Sequence, residues 1–190
     1  MFSSNIQKTK QWSSLSSYGL RNELRSPDNN PTLKKTYNWE TWTRNMRLAA
    51  QTIHKENPSA IIFLSGLGYD TDLSIVMNGK FNIIDWPAHK TALELHRYDS
   101  KTSPTTNCSS IHTDMDRLGW EITKPGHANA MPVVMTEFGF SQNGGEFQGK
   151  YAQCLKTFFE ARRTGWIYWV LAGSYYIRSG KQDFEEPWGK

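Results

Sequence analysis

Two glutamates lie where predicted β-strands end. Glu137 follows an apolar run that begins at Pro132, and Gly139 breaks the chain soon after it; Glu23 follows a strand predicted over residues 15–20. Taken alone, the stretch that ends at Glu137 also fits an ordinary core strand closed by a solvated acid. As a pair, two such carboxylates can hydrolyse a glycosidic bond with retention: one attacks the anomeric carbon and the other protonates the departing oxygen. We expect about 5 Å between the carboxyl groups.

A third predicted strand adds two polar rings to the same site. Within residues 91–98, His96 and Tyr98 share one face with Glu94, while leucines occupy the opposite face. Hydrogen bonds from His96 and Tyr98 would favour the ionised form of Glu137, which a nucleophile needs. Glu94 is interpreted either as a support for these groups or as a polar plug in the interior of the fold.

Two further side chains are predicted to bind the sugar. Asn22 precedes Glu23 and would hydrogen-bond to a sugar hydroxyl, while Trp169 lies on the last predicted strand, where its ring would stack under a sugar. The other seven of the eight tryptophans are predicted to be packing residues, because aromatic side chains more often fill cores.

The elements that must position these side chains alternate between strands and helices. The strands are predicted over 15–20, 60–64, 91–98, 132–139 and 166–171. The helices are predicted over 39–54, 110–122 and 151–163, with Gly165 as the cap of the last. Apolar strands that alternate with amphipathic helices predict a parallel sheet covered by helices, and functional residues of such sheets lie at the carboxyl ends of the strands.

Composition argues against several classes of protein. The net charge is +4, but the 22 basic and 18 acidic residues are mixed along the chain, which argues against a nucleic-acid partner. No apolar run is long enough for a membrane span, and residues 1–11 lack the apolar region of a secretory signal.

We expect one domain over 1–190, with 1–14 poorly ordered. Cys108 and Cys154 lack the spacing of a zinc site, which leaves a disulfide and two free thiols as alternatives.

Four motifs resemble, in order and spacing, the cellulase family, glycoside hydrolase family 5. They are Arg-Asn-Glu at 21–23, His-x-Tyr at 96–98, Thr-Glu-Phe-Gly at 136–139 and Trp-x-x-x-Gly-Ser-Tyr-Tyr at 169–176. Two more segments resemble its plant and fungal cellulase-like branch: Ser-Gly-Leu-Gly-Tyr-Asp-Thr-Asp-Leu at 65–73 and Gly-Ser-Tyr-Tyr-Ile-Arg at 173–178. The resemblance covers nearly the whole chain from about Tyr18.

The resemblance implies a (β/α)8 barrel and a retaining hydrolase of β-linked glucan or mannan, without metal or cofactor. It implies that Glu23 is the acid/base and Glu137 the nucleophile. The substrate contacts that it implies are Asn22, His96, Tyr98 and Trp169. Cys108 and Cys154 would lie near the starts of neighbouring barrel helices, where they could form a disulfide; two free thiols stay the equal alternative.

The chain also departs from the family pattern. A barrel of this type typically has about 250 residues, and the resemblance begins just before the fourth strand, so that the first three β/α units, with an arginine and a histidine of the family site, have no counterpart. We therefore expect an incomplete barrel with weak or no activity unless an N-terminal segment or another chain completes it. The alternatives are a catalytically dead carbohydrate-binding protein and a fragment without a stable fold. Family members are commonly secreted, but no signal peptide is recognised here, so localisation stays open.

Overall fold

The computed structural model describes residues 2–77, 81–82, 86–87, 89–98, 102–103, 105–140, 149–169, 177–178 and 181–182. Its strands are β1 (Ser17–Gly19), β2 (Ile61–Ser65), β3 (Thr91–Tyr98), β4 (Val133–Gly139), β5 (Gly165–Tyr168), β6 (Ile177–Arg178) and β7 (Lys181–Gln182). Its α-helices are α1 (Phe2–Thr9), α2 (Pro31–Lys34), α3 (Trp39–Glu56), α4 (Cys108–Arg117) and α5 (Lys150–Arg162). Within these described ranges, two 3₁₀ helices cover Ser74–Met77 and Trp120–Thr123.

The first five strands form one sheet whose spatial order is the chain order, β1-β2-β3-β4-β5. Every neighbouring pair in this sheet is parallel. Helix α3 connects β1 to β2, α4 connects β3 to β4, and α5 connects β4 to β5, whereas the described part of the β2–β3 connection contains a 3₁₀ helix. The predicted fold class, an incomplete (β/α)8 barrel, is confirmed. Strands β6 and β7 form a separate antiparallel pair.

Helix α3 forms where the periodicity predicts it. The side chain of Asn38 accepts a hydrogen bond from the backbone N–H of Thr41 and so caps the first turn. The buried face consists of Trp42, Met46, Ala50 and Ile53. The helix runs two residues beyond the predicted end at 54 and stops before Asn57, because the residue before Pro58 is disfavoured in helical conformation.

The predicted helix over 110–122 is two elements in the structure. Helix α4 ends at Arg117 and a 3₁₀ helix begins at Trp120, with Gly119 between them at a φ of +142°. This backbone conformation is accessible to glycine and interrupts an α-helix. A Cβ atom at this position would also lie 3.0 Å from the Cβ atom of Leu73, so the break lets the connection pack closely.

The prediction that Gly165 caps the last helix is wrong. Arg163 occupies the C-cap of α5 in left-handed conformation, with a φ of +50°, and its backbone N–H bonds to the carbonyl of Phe159. Gly165 is instead the first residue of β5. Strand β5 ends at Tyr168, and residues 170–171 of the strand predicted over 166–171 lie outside the described residues.

The described part of the chain has one main hydrophobic core, between the sheet and the helices. Trp120 and Phe158 are almost completely buried and meet edge to face with ring centroids 5.3 Å apart. The segment 1–14, which was expected to be poorly ordered, contains α1, whose Ile6 is only 3% exposed and belongs to this core. In the described ranges, none of the helices combines the length and the apolar character that a membrane span requires.

A disulfide bond joins Cys108, the first residue of α4, to Cys154 in α5. The two Cα atoms lie 5.0 Å apart, and the bond closes a loop with a sequence separation of 46 residues. A cross-link over such a loop lowers the entropy of the unfolded chain and thereby stabilises the folded one.

Replacing both cysteines by alanine is expected to lower the free energy of unfolding by about 4 kcal/mol, the loss of loop constraint that this separation implies. Urea unfolding followed by tryptophan fluorescence measures the change. The matched control is the unsubstituted chain with reductant, which should show a similar loss without altered side chains. Equal urea midpoints for the oxidised chain and the double variant would contradict the prediction.

Candidate active site

The carboxyl ends of β3 and β4 bring three predicted site residues together. In the pairing of these strands, His96 lies opposite Glu137 and Tyr98 lies opposite Gly139. The register shifts by one residue, because Leu95 pairs with Met135 and His96 with Glu137, which leaves Thr136 as an extra residue on β4. Side chains alternate between the two faces of a strand, so this bulge turns Glu137 to the face that carries His96.

The opposite face of β4 shows the consequence of the bulge. Phe138 is buried against Phe159 of α5 and Trp166 of β5, with ring centroids 5.4 and 5.7 Å away. Strict alternation would place Glu137 on the same face as Met135, which is fully buried. The extra residue therefore gives Glu137 access to the inner face of the curved sheet while Phe138 stays in the core.

Glu23, His96 and Glu137 form a compact cluster. Taking one donor atom from each side chain, these atoms all lie within 4.8 Å of one another. The Nδ1 atom of His96 lies 3.3 Å from Oε1 of Glu23 and 3.5 Å from Oε2 of Glu137. The histidine side chain is 3% exposed, whereas the two carboxylates are 23% and 16% exposed and can be reached from solvent.

Tyr98 supports Glu137 from the next inward position of β3. Its hydroxyl group donates a hydrogen bond of 2.8 Å to Oε2 of Glu137. Burial raises the pKa of Tyr98, and the hydrogen bond to Glu137 and the charge of that carboxylate raise it further. Tyr98 therefore keeps its proton at neutral pH and remains a donor.

Glu23 lies beyond the end of β1 in an unusual backbone conformation. Its φ is +46°, in the left-handed region that non-glycine residues rarely adopt. Its backbone N–H donates a hydrogen bond of 2.7 Å to Oδ2 of Asp70. On its solvent side, Nη2 of Arg25 lies 4.0 Å from Oε2 of Glu23, and the Arg25 guanidinium lies over the ring of Tyr69.

Asp70 is a site residue that the sequence analysis missed. Its side chain is completely buried, and its Oδ2 atom lies 3.9 Å from Nε2 of His96, on the ring edge opposite the two glutamates. Burial raises the pKa of Asp70 to about 6 against the lowering effect of its hydrogen bond from Glu23. The available signal was an acid in the glycine loop 65–73, a segment that entered only through the family resemblance.

Glu94 and Gly19 complete the inner face. Burial raises the pKa of Glu94, and the neighbouring charge of Glu137 adds to this effect. A Cβ atom at Gly19 would lie 3.4 Å from Oε1 of Glu94, so the carboxylate packs close to the end of β1. This position is compatible with both interpretations of Glu94.

The two predicted sugar contacts lie at the rim. Asn22 is exposed and directly precedes Glu23. Trp169 follows the end of β5, is 50% exposed, and donates its backbone N–H to the carbonyl of Phe138. The close approach of the Trp169 backbone to β4 depends on Gly139, where a Cβ atom would lie 2.5 Å from the Trp169 carbonyl oxygen and 3.1 Å from the ring of Tyr98.

Among the described residues, Glu23, His96 and Glu137 also form the group that could hold a metal ion, since one imidazole and two carboxylates converge there. Chemically, the same arrangement provides two carboxylates of different surroundings beside one nitrogen of a shared histidine. The Glu137 carboxylate accepts a hydrogen bond from the Tyr98 hydroxyl, whereas Glu23 is held through its backbone N–H by the loop that carries Asp70.

Comparison with known proteins identifies the family. The model of the family described as Cellulase (glycosyl hydrolase family 5) matches residues 12–174. The chain belongs to glycosyl hydrolase family 5. The resemblance predicted from the four motifs is thereby confirmed. A glycosyl hydrolase 5 family protein from Chamaecyparis obtusa is 32% identical to this family 5 chain over 180 residues, which are 90% of the chain and 30% of that relative.

Solved structures with the same fold include a β-glucanase and an endoglucanase. A β-glucanase from Saccharophagus degradans superposes with a TM-score of 0.69 at 18% identity, over 89% of this chain and 50% of that one. The catalytic domain of the major endoglucanase from Xanthomonas campestris pv. campestris gives a TM-score of 0.68 at 15% identity, over 100% of this chain and 57% of that one. The family 5 chain therefore spans about half of these structures and less than a third of the curated relative.

Proposed function

We propose that this family 5 chain carries the catalytic glutamates of a retaining β-glycoside hydrolase, with Glu137 as nucleophile and Glu23 as acid/base. The observation that carries the proposal is the cluster in which donor atoms of both glutamates and His96 lie within 4.8 Å of one another. This spacing suits a double displacement, because an inverting enzyme needs roughly 6.5–9.5 Å between its carboxyl groups to admit a water molecule.

In the first step, Glu137 attacks the anomeric carbon and forms a covalent glycosyl ester. The hydroxyl group of Tyr98 donates to Oε2 of Glu137 and holds the carboxylate in place for attack. Because Tyr98 keeps its proton, it stabilises the ionised nucleophile and does not compete for the substrate as a base.

In the same step, Glu23 protonates the departing glycosidic oxygen. In the second step it removes a proton from the water molecule that hydrolyses the ester. Nδ1 of His96 lies within 3.5 Å of an oxygen of each carboxylate, so the same imidazole can donate a hydrogen bond to either of them. When Glu137 is esterified, its negative charge no longer acts on Glu23. This change supports the switch of Glu23 from acid in the first step to base in the second.

We propose β-linked glucan or mannan as the substrate, with sugar contacts from Asn22, His96, Tyr98 and Trp169. The exposed indole of Trp169 offers a flat apolar face next to the end of β4. Glucan is favoured by the fold neighbours, which are named as a β-glucanase and an endoglucanase. The reaction as proposed uses no metal or cofactor, so turnover should survive a chelator.

The activity of the chain by itself is proposed to be weak. It covers about half of the neighbouring structures, so the groups that the remaining half supplies there have no counterpart among its residues. Misplacement of a reacting group by about 1 Å can cost about 100-fold in rate. Further β/α units, from a preceding segment or a second chain, are proposed to complete the site.

Covalent trapping tests this proposal, and it suits a slow enzyme because a single turnover suffices. A 2-deoxy-2-fluoro-β-cellobioside with a dinitrophenolate leaving group should add one fluorocellobiosyl group, which peptide mapping should locate on Glu137. The fluorine of the reagent slows both formation and hydrolysis of the ester, whereas the good leaving group speeds only its formation. The ester therefore accumulates. Label on another residue, or release of 2-deoxy-2-fluorocellobiose with inversion and no adduct, would refute the proposed mechanism.

A catalytically dead carbohydrate-binding protein is the second candidate, favoured by the half coverage of the neighbours and the exposed Trp169. It predicts oligosaccharide binding without adduct formation. That binding should persist in Glu137→Gln and weaken in Trp169→Ala, as measured by calorimetry with cellotetraose or mannotetraose.

A further inference from the structure

Asp70 lies beneath the acid/base in a loop that contributes no group to the proposed reaction. We infer that Asp70 is a positioning residue that sets the direction of the Glu23 carboxyl group toward the departing oxygen. The inference rests on the proposed function, because it assigns Asp70 a part in the protonation step.

The first observation is the set of contacts that Asp70 makes. Its Oδ2 atom accepts the backbone N–H of Glu23 at 2.7 Å, and its own backbone carbonyl accepts the N–H of His96 at 2.9 Å. The preceding residue, Tyr69, donates its N–H to the carbonyl of Leu24 at 3.0 Å. Two adjacent residues thus hold the segment after β1 and the functional end of β3 in one arrangement.

The loop that carries Asp70 is itself rigidly closed. Leu67 and Asp72 exchange two backbone hydrogen bonds, of 2.9 and 3.1 Å, across its base. The Tyr37 hydroxyl accepts the N–H of Gly68 and donates to the carbonyl of Leu24. A carboxylate on such a loop has a defined position. The group hydrogen-bonded to it, the backbone N–H of Glu23, is therefore also held in a defined position.

The second observation is that this arrangement stores strain. Glu23, Tyr69 and Asp70 all adopt left-handed conformations, with φ values of +46°, +62° and +57°. Oδ1 of Asp70 is buried without a hydrogen-bond partner among the described residues. Left-handed non-glycine residues and unpaired buried oxygens both cost free energy, and proteins tend to retain such features where a function requires them.

The third observation concerns the charges around Asp70. It faces Glu94 and His96 from β3 and Glu23 from the segment after β1. The imidazole edge that carries Nε2 points to Asp70, and the edge that carries Nδ1 points to both glutamates. Asp70 therefore contacts the surroundings of Glu23 in two ways. Its carboxylate accepts the backbone N–H of Glu23, and it lies next to the histidine that is beside the Glu23 carboxylate.

Leaving-group dependence separates this role from a merely structural one. A dinitrophenolate leaves without protonation, whereas phenolate requires the acid, and kcat/KM reports the first displacement for both aryl β-cellobiosides. Asp70→Ala is expected to lower kcat/KM about 10- to 100-fold for the phenyl substrate and less than about threefold for the dinitrophenyl one. Asp70→Asn keeps an oxygen that accepts the Glu23 N–H and should restore most of the loss.

Asp72→Ala is the matched control. Asp72 lies in the same loop and its Oδ1 atom also accepts a backbone N–H, that of Ser74, at 2.8 Å. Loss of that hydrogen bond should change kcat/KM for the phenyl and the dinitrophenyl substrate by the same factor. Equal losses on both substrates in Asp70→Ala, or failure of Asp70→Asn to restore the phenyl rate while it folds normally, would overturn the assignment.

A second measurement needs no turnover, so it still decides the matter if the proposed hydrolase activity is not found. In ¹H–¹⁵N spectra of the full chain at neutral pH, the Glu23 amide proton should lie downfield of its random-coil position, because it donates a 2.7 Å hydrogen bond to the Asp70 carboxylate. The downfield shift should be lost in Asp70→Ala and persist in Asp72→Ala. A Glu23 amide proton with the same chemical shift in all three chains would show that Asp70 does not hold Glu23.

Discussion

Glu137→Ala is expected to abolish turnover, with a loss on the order of 10⁴-fold or more in kcat/KM. The carboxylate is the proposed nucleophile, and the Tyr98 hydroxyl that donates to it at 2.8 Å cannot replace it as an attacking group. The variant should also take up no fluorocellobiosyl label. Aryl cellobioside hydrolysis and intact mass measure the two effects.

Azide provides the sharpest readout of this variant. With the carboxylate gone, a small anion can enter its space and attack the anomeric carbon directly, which gives an α-glycosyl azide by one inversion. Glu160→Ala is the matched control, because Glu160 is an exposed glutamate of α5, and its rate and labelling should not change. Full activity of Glu137→Ala would contradict the assignment.

Glu23→Ala is expected to have an effect that depends on the leaving group. For phenyl β-cellobioside we expect kcat/KM to fall by roughly 10²- to 10⁴-fold, the usual contribution of a positioned acid. For the dinitrophenyl substrate the first step needs no acid, so kcat/KM should change little, while the covalent intermediate accumulates because the base for the second step is missing.

Azide should restore turnover of that accumulated intermediate, and the product should be a β-glycosyl azide, since two inversions have occurred. The opposite anomers expected from the two alanine variants identify the roles independently of the rates. If the α-azide came from Glu23→Ala and the β-azide from Glu137→Ala, the assigned roles would have to be exchanged. Glu160→Ala again serves as the control.

Periodicity was sufficient to predict most of the elements. The strand predicted over 91–98 coincides with β3, and the helix predicted from residue 39 begins at Trp39. These predictions succeed because the apolar spacing of a strand or helix is a local property of the chain. Helix ends were less predictable, since Arg163 rather than Gly165 takes the left-handed cap.

Part of the site could be predicted in the same way. His96, Tyr98 and Glu137 stand at strand ends, and parallel strands present these ends at one edge of a sheet. Asp70 could not be found by such reasoning. An acid after glycines is typical of a turn, and its function arises from a buried position beneath Glu23 that only long-range contacts create.

The amino-acid sequence by itself determined the alternation of strands and helices, the family, and the side chains that stand at the strand ends. The tertiary structure decided which way those side chains point. The extra residue Thr136 turns Glu137 toward His96, and the Asp70 loop holds the Glu23 backbone so that its carboxylate lies beside the same nitrogen of that histidine. The direction of Glu137 and the position of Glu23 both depend on register and loop packing between segments far apart in the chain, and local periodicity carries no information about such pairings.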